Sequence, residues 1–385
     1  MLYYLIEYLE KVYQPPGFQI IQFQTVRAGL AAITSLAISL FIGRTIIRWL
    51  AKKQIGERVR DGITAGAIDH SHKSGTPTMG GLIILLSVLG STLLWGAIAE
   101  VYVWLILLAT AWMGAFGFVD DYIKVVKRNK SGLPARIKLT GQISLGLIVG
   151  SVLYFHPQFS DIHTLTYLPF VKDETLDYDF LQYVFTGIDL GWMIYIPIVI
   201  FVVTALSNAV NLTDGLDGLA AGVTGIVAVG LMAFCYIAGN AVFSEFLNEM
   251  MLPGAGELTV FASALAASCF GFLWYNGYPA TVFMGDTGAL SLGAAVGTLT
   301  LMVRKELLLP VLCAVFFWES ISVIVQTTWF RYTRKKTGTG RRVFRMAPIH
   351  HHYEAGGTHE NKIVVRFWII TAITVIAALL VLRIR

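Results

Sequence analysis

Residues 101–130, VYVWLILLATAWMGAFGFVDDYIKVVKRNK, decide the fold. From Val101 to Val119 no residue carries a charge, and the run is as long as the ~20 residues that a helix needs to cross the hydrocarbon core of a bilayer. It then passes at once to Asp120-Asp121 and to the cations Lys124, Lys127, Arg128 and Lys130, the pattern of a helix leaving lipid for water. Inside lipid every backbone polar group must be satisfied within the segment, so this stretch is a transmembrane helix.

Outward from it the same pattern recurs at about residues 25–48, 77–98, 139–155, 192–212, 218–238, 258–275, 287–303, 307–330 and 363–382, which makes ten candidate spans. The composition agrees, with 56% hydrophobic and only 14% charged residues, against roughly 25% charged in an ordinary soluble domain. A plain cytosolic globule, a disordered chain and a fibrous repeat are all excluded. Cys235, Cys269 and Cys313 lie in apolar runs with no CxxC spacing, so neither a disulfide framework nor a thiolate metal site is expected. The whole chain, 1–385, reads as one all-α, polytopic membrane domain: a ten-helix core over 25–385, after an interfacial amphipathic stretch, Leu2 to Tyr13, within 1–24.

The net charge of +5 is unevenly spread. Lys52, Lys53, Arg58, Arg60 and Lys73 follow span one; Lys124 to Lys138 follow span three; Arg331 to Lys362 follow span nine. The opposite connections, 156–190 and 239–257, are acidic, so the basic loops are expected in the cytoplasm and both termini outside. The loop at 157–190 is long, and the segment near 240–257 carries no motif. With this topology every even-numbered span begins at the cytoplasmic face and presents free N–H groups and a positive dipole end there, which favours anions such as phosphate.

Five polar clusters fall on that face: SGTPTMGG (74–81), Asp120-Asp121, NAVNLTDGLD (208–217), MGDTG (284–288) and APIHHH (347–352). Thr76-Pro77 is expected to be an N-cap with proline in the first turn, and Asp286-Thr287 to open span eight after Gly285. Ordinary capping explains each of these alone, but not their shared face. Carboxylates at a helix C-terminus oppose the macrodipole, so Asp120 and Asp121 need a reason to be there; the plain one is pairing with Lys124 or Lys127. Consecutive helical side chains diverge by about 100°, so one would act on substrate while the other supports it or binds metal.

Asp214, Asp217 and Asp286, with Asn208 and Asn211, are hard oxygen donors beside glycines, which suits Mg²⁺ better than zinc. Three consecutive histidines, His350, His351 and His352, cannot chelate one metal from a regular helix, and a loop contact to phosphate suits them better; with Arg341, Arg342 and Arg345 they form a cationic segment in which plain positive-inside charge explains the arginines well but the histidines poorly. Glu319 lies within span nine, where an ionised group needs a partner or a wet cavity, and it marks either a break in that span or a structural pair. Phe283, next to the Gly-Asp pair, suits stacking on a base or plain apolar packing.

HKSGTPTMGG (72–81), FGFVDDYIK (116–124), NAVNLTDGLDGLA (208–220), FMGDTGAL (283–290) and RMAPIHHHYE (345–354) together resemble the phospho-N-acetylmuramoyl-pentapeptide transferase family of the polyprenyl-phosphate N-acetylhexosamine-1-phosphate transferases, over nearly the whole chain. The resemblance implies transfer of phospho-MurNAc-pentapeptide from UDP-MurNAc-pentapeptide to undecaprenyl phosphate, yielding lipid I and UMP with Mg²⁺. It further implies a homodimer in the bacterial cytoplasmic membrane, without a nucleic-acid partner. By the family pattern Asp286 would hold Mg²⁺, Asp120 would handle the lipid phosphate as base and Asp121 would support it, either of the last two being a further possible ligand. Lys73, Thr78, Asn211, Asp214, Asp217, Phe283 and the histidines would line the nucleotide and diphosphate site; Asn208 stands with them, and Lys124 and Lys138 match basic positions nearby.

Direct attack by the lipid phosphate and a covalent phospho-sugar intermediate on an aspartate both fit these residues. A transferase taking UDP-N-acetylglucosamine is the rival within the same chemistry, against which the APIHHH run argues. A polytopic ion or solute transporter is the rival of another class, and would set its ionisable residues near the bilayer midplane.

Overall fold

Each of the ten apolar stretches falls on helix in the computed structural model, which describes residues 1–53, 75–127, 129, 131–169, 171, 175–179 and 190–384. The helices are α1 (Leu2–Tyr13), α2 (Gln24–Lys52), α3 (Gly81–Trp95), α4 (Val101–Val125), α5 (Ala135–Phe155), α6 (Trp192–Thr213), α7 (Leu219–Ala238), α8 (Ala241–Phe246), α9 (Glu257–Asn276), α10 (Gly285–Met302), α11 (Leu309–Leu312), α12 (Ala314–Thr337), α13 (Ile349–Glu354) and α14 (Glu360–Ile384). Among the described residues, seven helices are long and apolar enough to cross a membrane; an eighth crossing is made if the segment Glu306–Leu312 and α12, bent by 83° at Cys313, form one span. The chain is a multi-pass all-α membrane protein. Of the remaining two predicted spans, α3 has only 15 residues, and α10 is buried at every position from Asp286 to Met302.

The interior is built on α9 and α10. Gly, Ala, Ser and Thr dominate α10, so its neighbours approach its backbone closely, as expected where packing rather than hydrophobic contrast joins helices in lipid. It packs on α4, α6 and α3, while α9 packs on α2, α7 and α3. Long side chains that this packing leaves outside, such as Phe41, Phe201, Ile324, Ile369 and Leu380, are exposed, as suits a surface facing hydrocarbon.

Consecutive long helices run in opposite directions, so all five polar clusters lie at one end of the bundle. The other end is closed by buried charges. The Arg27 guanidinium forms a two-pronged ion pair with Glu257, whose Oε2 also accepts from the Ala97 N–H at 2.9 Å. Tyr3 of α1 lies over the same guanidinium, 4.5 Å from ring centroid to Cζ, and the Met1 ammonium donates to the Leu93 carbonyl. Helix α1 is therefore tied across the ends of α2 and α3.

Three expectations need correcting. Thr76 does not cap a helix at Pro77: α3 begins four residues later, at Gly81, because Pro77, Gly80 and Gly81 spend their backbone groups on residues 283–284. The break in span nine falls at Cys313, six residues before Glu319, which lies inside the continuous helix α12. The loop after α5 carries a small antiparallel hairpin, Leu165–Tyr167 with Thr175–Asp177, which an all-helical reading lacks.

Candidate active site

Helices α4 and α10 meet at Gly117, where a Cβ would lie 2.2 Å from the Asp286 carbonyl oxygen. Nothing larger than glycine fits, and that contact sets the next turn of α4, bearing Asp120 and Asp121, against the N-terminus of α10. The first N–H groups of a helix have no partner inside it, and here a neighbouring helix supplies one. Asp121 Oδ1 accepts from the Asp286 N–H at 3.1 Å; Oδ2 accepts from the Thr287 N–H at 2.9 Å and the Thr287 hydroxyl at 2.6 Å. Gly285 has φ 71°, and a Cβ on it would lie 2.6 Å from Asp121 Oδ2 and 3.0 Å from Thr78 Oγ1. Thr78 is held in the same knot by the strand-like pairing in which Phe283 N–H donates to the Pro77 carbonyl at 2.8 Å and Gly80 N–H to the Phe283 carbonyl at 2.8 Å.

Asp120 is fully buried and looks the other way, into a pair of lysines. Its Oδ2 is 2.6 Å from Lys124 Nζ and 3.1 Å from Lys138 Nζ, and Asp286 Oδ2 is 3.2 and 2.5 Å from the same two atoms. Both ammonium groups thus bridge both carboxylates. Lys124 is the partner that the plain helix-end reading expects for Asp120, but its reach to Asp286 goes beyond that reading. Asp120 Oδ1 accepts from the Leu133 N–H at 2.6 Å, which folds the loop before α5 over the site.

Oxygens of Asp120, Asp121 and Asp286 lie within 4.8 Å of one another. Three hard carboxylates at this spacing, with ordinary water access limited, suit a divalent ion that completes its shell with water or phosphate oxygens. Asp121 already has both oxygens engaged with α10, so the donors left to such an ion are chiefly Asp120 and Asp286.

The loop between α6 and α7 lies at the same end. Asp217 is buried; its Oδ2 accepts from the Ala280 N–H at 2.9 Å, and its own N–H donates to Glu360 Oε1 at 2.7 Å. It joins this turn to the α9–α10 loop and to α14. Gly218 N–H donates to Asn276 Oδ1 at 3.0 Å, and Asn276 in turn donates to the Val282 carbonyl at 2.9 Å, so the NLTDGLD and FMGD motifs share one anchor. Asn208 is exposed and donates to Gln142 Oε1 at 3.1 Å; Asn211 and Asp214, at the end of α6, are half-buried, as is Phe283.

The histidines stand on α13 rather than in a loop; the His350 and His351 rings lie 4.2 Å apart between centroids, but each of the three has its own partner. His350 is fully buried with Nδ1 3.0 Å from Glu319 Oε2; His351 Nδ1 is 2.9 Å from Glu354 Oε2; His352 Nδ1 accepts from the Arg345 N–H at 3.1 Å. Lys73 lies outside the described residues. The sequence reading missed Asn276, Gln142 and Glu360, which contact motif residues. Asn276 and Glu360 at least carry a signal, a polar residue at a helix end facing the motif-bearing side.

Residues 103–304, more than half of the chain, match the model of glycosyl transferase family 4, and residues 73–85 match the phospho-N-acetylmuramoyl-pentapeptide-transferase signature 1. Proteins named phospho-N-acetylmuramoyl-pentapeptide-transferase from Salinibacter ruber, Chloroherpeton thalassium and Flavobacterium psychrophilum are 66%, 51% and 44% identical to it, each over 100% of both chains. The chain belongs to the phospho-N-acetylmuramoyl-pentapeptide-transferase family.

Proposed function

We propose that the protein transfers phospho-MurNAc-pentapeptide from UDP-MurNAc-pentapeptide to undecaprenyl phosphate, releasing UMP and forming lipid I for peptidoglycan. The observation that carries this reading is the convergence of Asp120, Asp286, Lys124 and Lys138 at the N-terminus of α10, on the motif-bearing end of a membrane bundle. Full-length kinship with the named transferases supports it. The proposal extends to the setting: the bacterial cytoplasmic membrane, with the site on the cytoplasmic side, both termini outside, and a homodimer as the working form.

Phosphoryl transfer asks chiefly for alignment and for neutralisation of charge spread over the phosphate oxygens. The lipid phosphate oxygen attacks the phosphorus bonded to the sugar, and the bond from that phosphorus to the bridging oxygen of the diphosphate breaks, so that UMP departs with its electron pair. Asp120 Oδ2 accepts the proton that a protonated lipid phosphate sheds. Lys124 and Lys138, freed from the carboxylates, turn to the diphosphate. Asp121 holds α10 so that its N-terminal N–H groups face the same anion, and Thr78, Phe283, Asn211, Asp214 and the histidine helix line the nucleotide side, with Lys73 from the preceding loop. Asp286 with Asp120 would hold Mg²⁺, which would supply charge neutralisation for the diphosphate.

Purified protein incubated with undecaprenyl phosphate, Mg²⁺ and either UDP-MurNAc-pentapeptide or UDP-N-acetylglucosamine is expected to release UMP with the first alone. Release with the second, or with neither, rejects the reading.

A further inference from the structure

Glu319 is a carboxylate inside helix α12 with no exposed surface, where an ion without a partner is costly. Its neighbour is His350 on α13, also fully buried, whose Nδ1 is 3.0 Å and whose backbone N is 3.5 Å from Glu319 Oε2. A carboxylate can only accept, so Nδ1 carries the proton and the ring's second nitrogen is the one left over. That atom, Nε2, has no hydrogen-bond partner among the described residues. It lies against the turn that follows α6: a Cβ on Gly215 would come 2.2 Å from it. Gly215 is exposed, so a residue without a side chain separates a buried, unsatisfied ring nitrogen from the aqueous side of the Asp214–Asp217 turn.

We infer that Glu319 is a positioning residue for the substrate site: by accepting the Nδ1 proton it sets His350 with Nε2 towards the Asp214–Asp217 turn, where the nucleotide end of the substrate reaches it. The inference rests on the transferase reading for the identity of that ligand, but not for the ring geometry. Leaving a buried polar atom unsatisfied is costly, and a substrate that approaches over Gly215 relieves that cost on binding. The effect therefore belongs to substrate affinity. Leucine would keep α12 apolar but leave Nδ1 alone. Glutamine is the sharper probe, because a near-isosteric amide both donates and accepts and so no longer dictates which ring nitrogen carries the proton.

The test is Glu319→Gln in the full-length protein, with ¹⁵N-labelled histidine spectra to read the His350 ring, assigned by its loss in His350→Gln, beside steady-state kinetics for both substrates. In the unsubstituted protein the ring is expected to show a protonated Nδ1 and, without substrate, an Nε2 with no hydrogen-bond partner. In Glu319→Gln the proton is expected no longer to be confined to Nδ1, while KM for UDP-MurNAc-pentapeptide rises about tenfold, with kcat and the KM for undecaprenyl phosphate changing less than about threefold. A ring signal unchanged by the substitution overturns the inference, and so does a changed ring with an unchanged KM. Should the unsubstituted protein release no UMP, the transferase reading falls instead, and the ring spectra still decide whether Glu319 sets the histidine.

Discussion

Lys138 places one ammonium within 2.5 Å of Asp286 Oδ2 and 3.1 Å of Asp120 Oδ2, the two oxygens best placed to hold a divalent ion. Cation and ammonium compete there, since like charges a few ångströms apart in a poorly solvated site repel by several kcal/mol. Lys138→Met is therefore expected to tighten Mn²⁺ binding severalfold in the absence of nucleotide, measured by electron paramagnetic resonance, while turnover falls about a hundredfold or more because the diphosphate loses a counter-charge. Unchanged Mn²⁺ affinity would remove the competition from the account. Asp286→Asn and Asp120→Asn should each cut turnover by orders of magnitude in folded protein, and both should blunt the response to Mg²⁺, the first more strongly. Near-normal rates in both would reject their assignment. At this scale the sequence reading reached Asp120, Asp286, Lys124 and Lys138 through type and motif. It did not reach the division of labour between Asp120 and Asp121, because which carboxylate meets a lysine and which meets a helix N-terminus depends on where α10 lies.

Among the elements, the crossing of α4 and α10 decides most. A methyl group at Gly117 cannot fit 2.2 Å from the Asp286 carbonyl, and the atom in the way is backbone, which no side-chain rotation relieves. Gly117→Ala is expected to push the two helices apart, lower the thermal midpoint by several degrees and reduce turnover at least tenfold by loosening the Asp121 contacts to Asp286 and Thr287. Full activity with an unchanged midpoint would show that this contact is not what holds the site. The helices themselves were legible, since ten apolar runs bounded by charge leave little choice of structure in lipid. The segment at 76–80 was not. Thr-Pro is a common helix opening, but the Pro77 carbonyl and the Gly80 and Gly81 N–H groups are taken by residues 283–284, which lie some 200 positions away in sequence.

On the scale of the molecule, the bundle has a reactive end and a latched end. The latch is Arg27 with Glu257, both buried, joined by the Ala97 N–H and covered by Tyr3. Breaking a buried pair from one side leaves an uncompensated charge, at a cost of roughly 3–5 kcal/mol. Glu257→Gln is thus expected to lower the thermal midpoint clearly while leaving the KM for both substrates near its original value, because the pair lies at the far end of α2 and α9 from the lysines and carboxylates. A stability unchanged by this substitution would show that the latch carries little. The sequence by itself determined that the chain lives in a bilayer, that its helices run up and down, and that its polar motifs share one face, because hydrocarbon forbids unpaired backbone and charge bias orients short loops. Only the tertiary structure decided which polar atoms touch: that Asp121 caps α10, that two lysines span Asp120 and Asp286, and that Glu319 grips His350. Those contacts join residues far apart along the chain through the close approach of small-residue helices, a three-dimensional fact that no local pattern encodes.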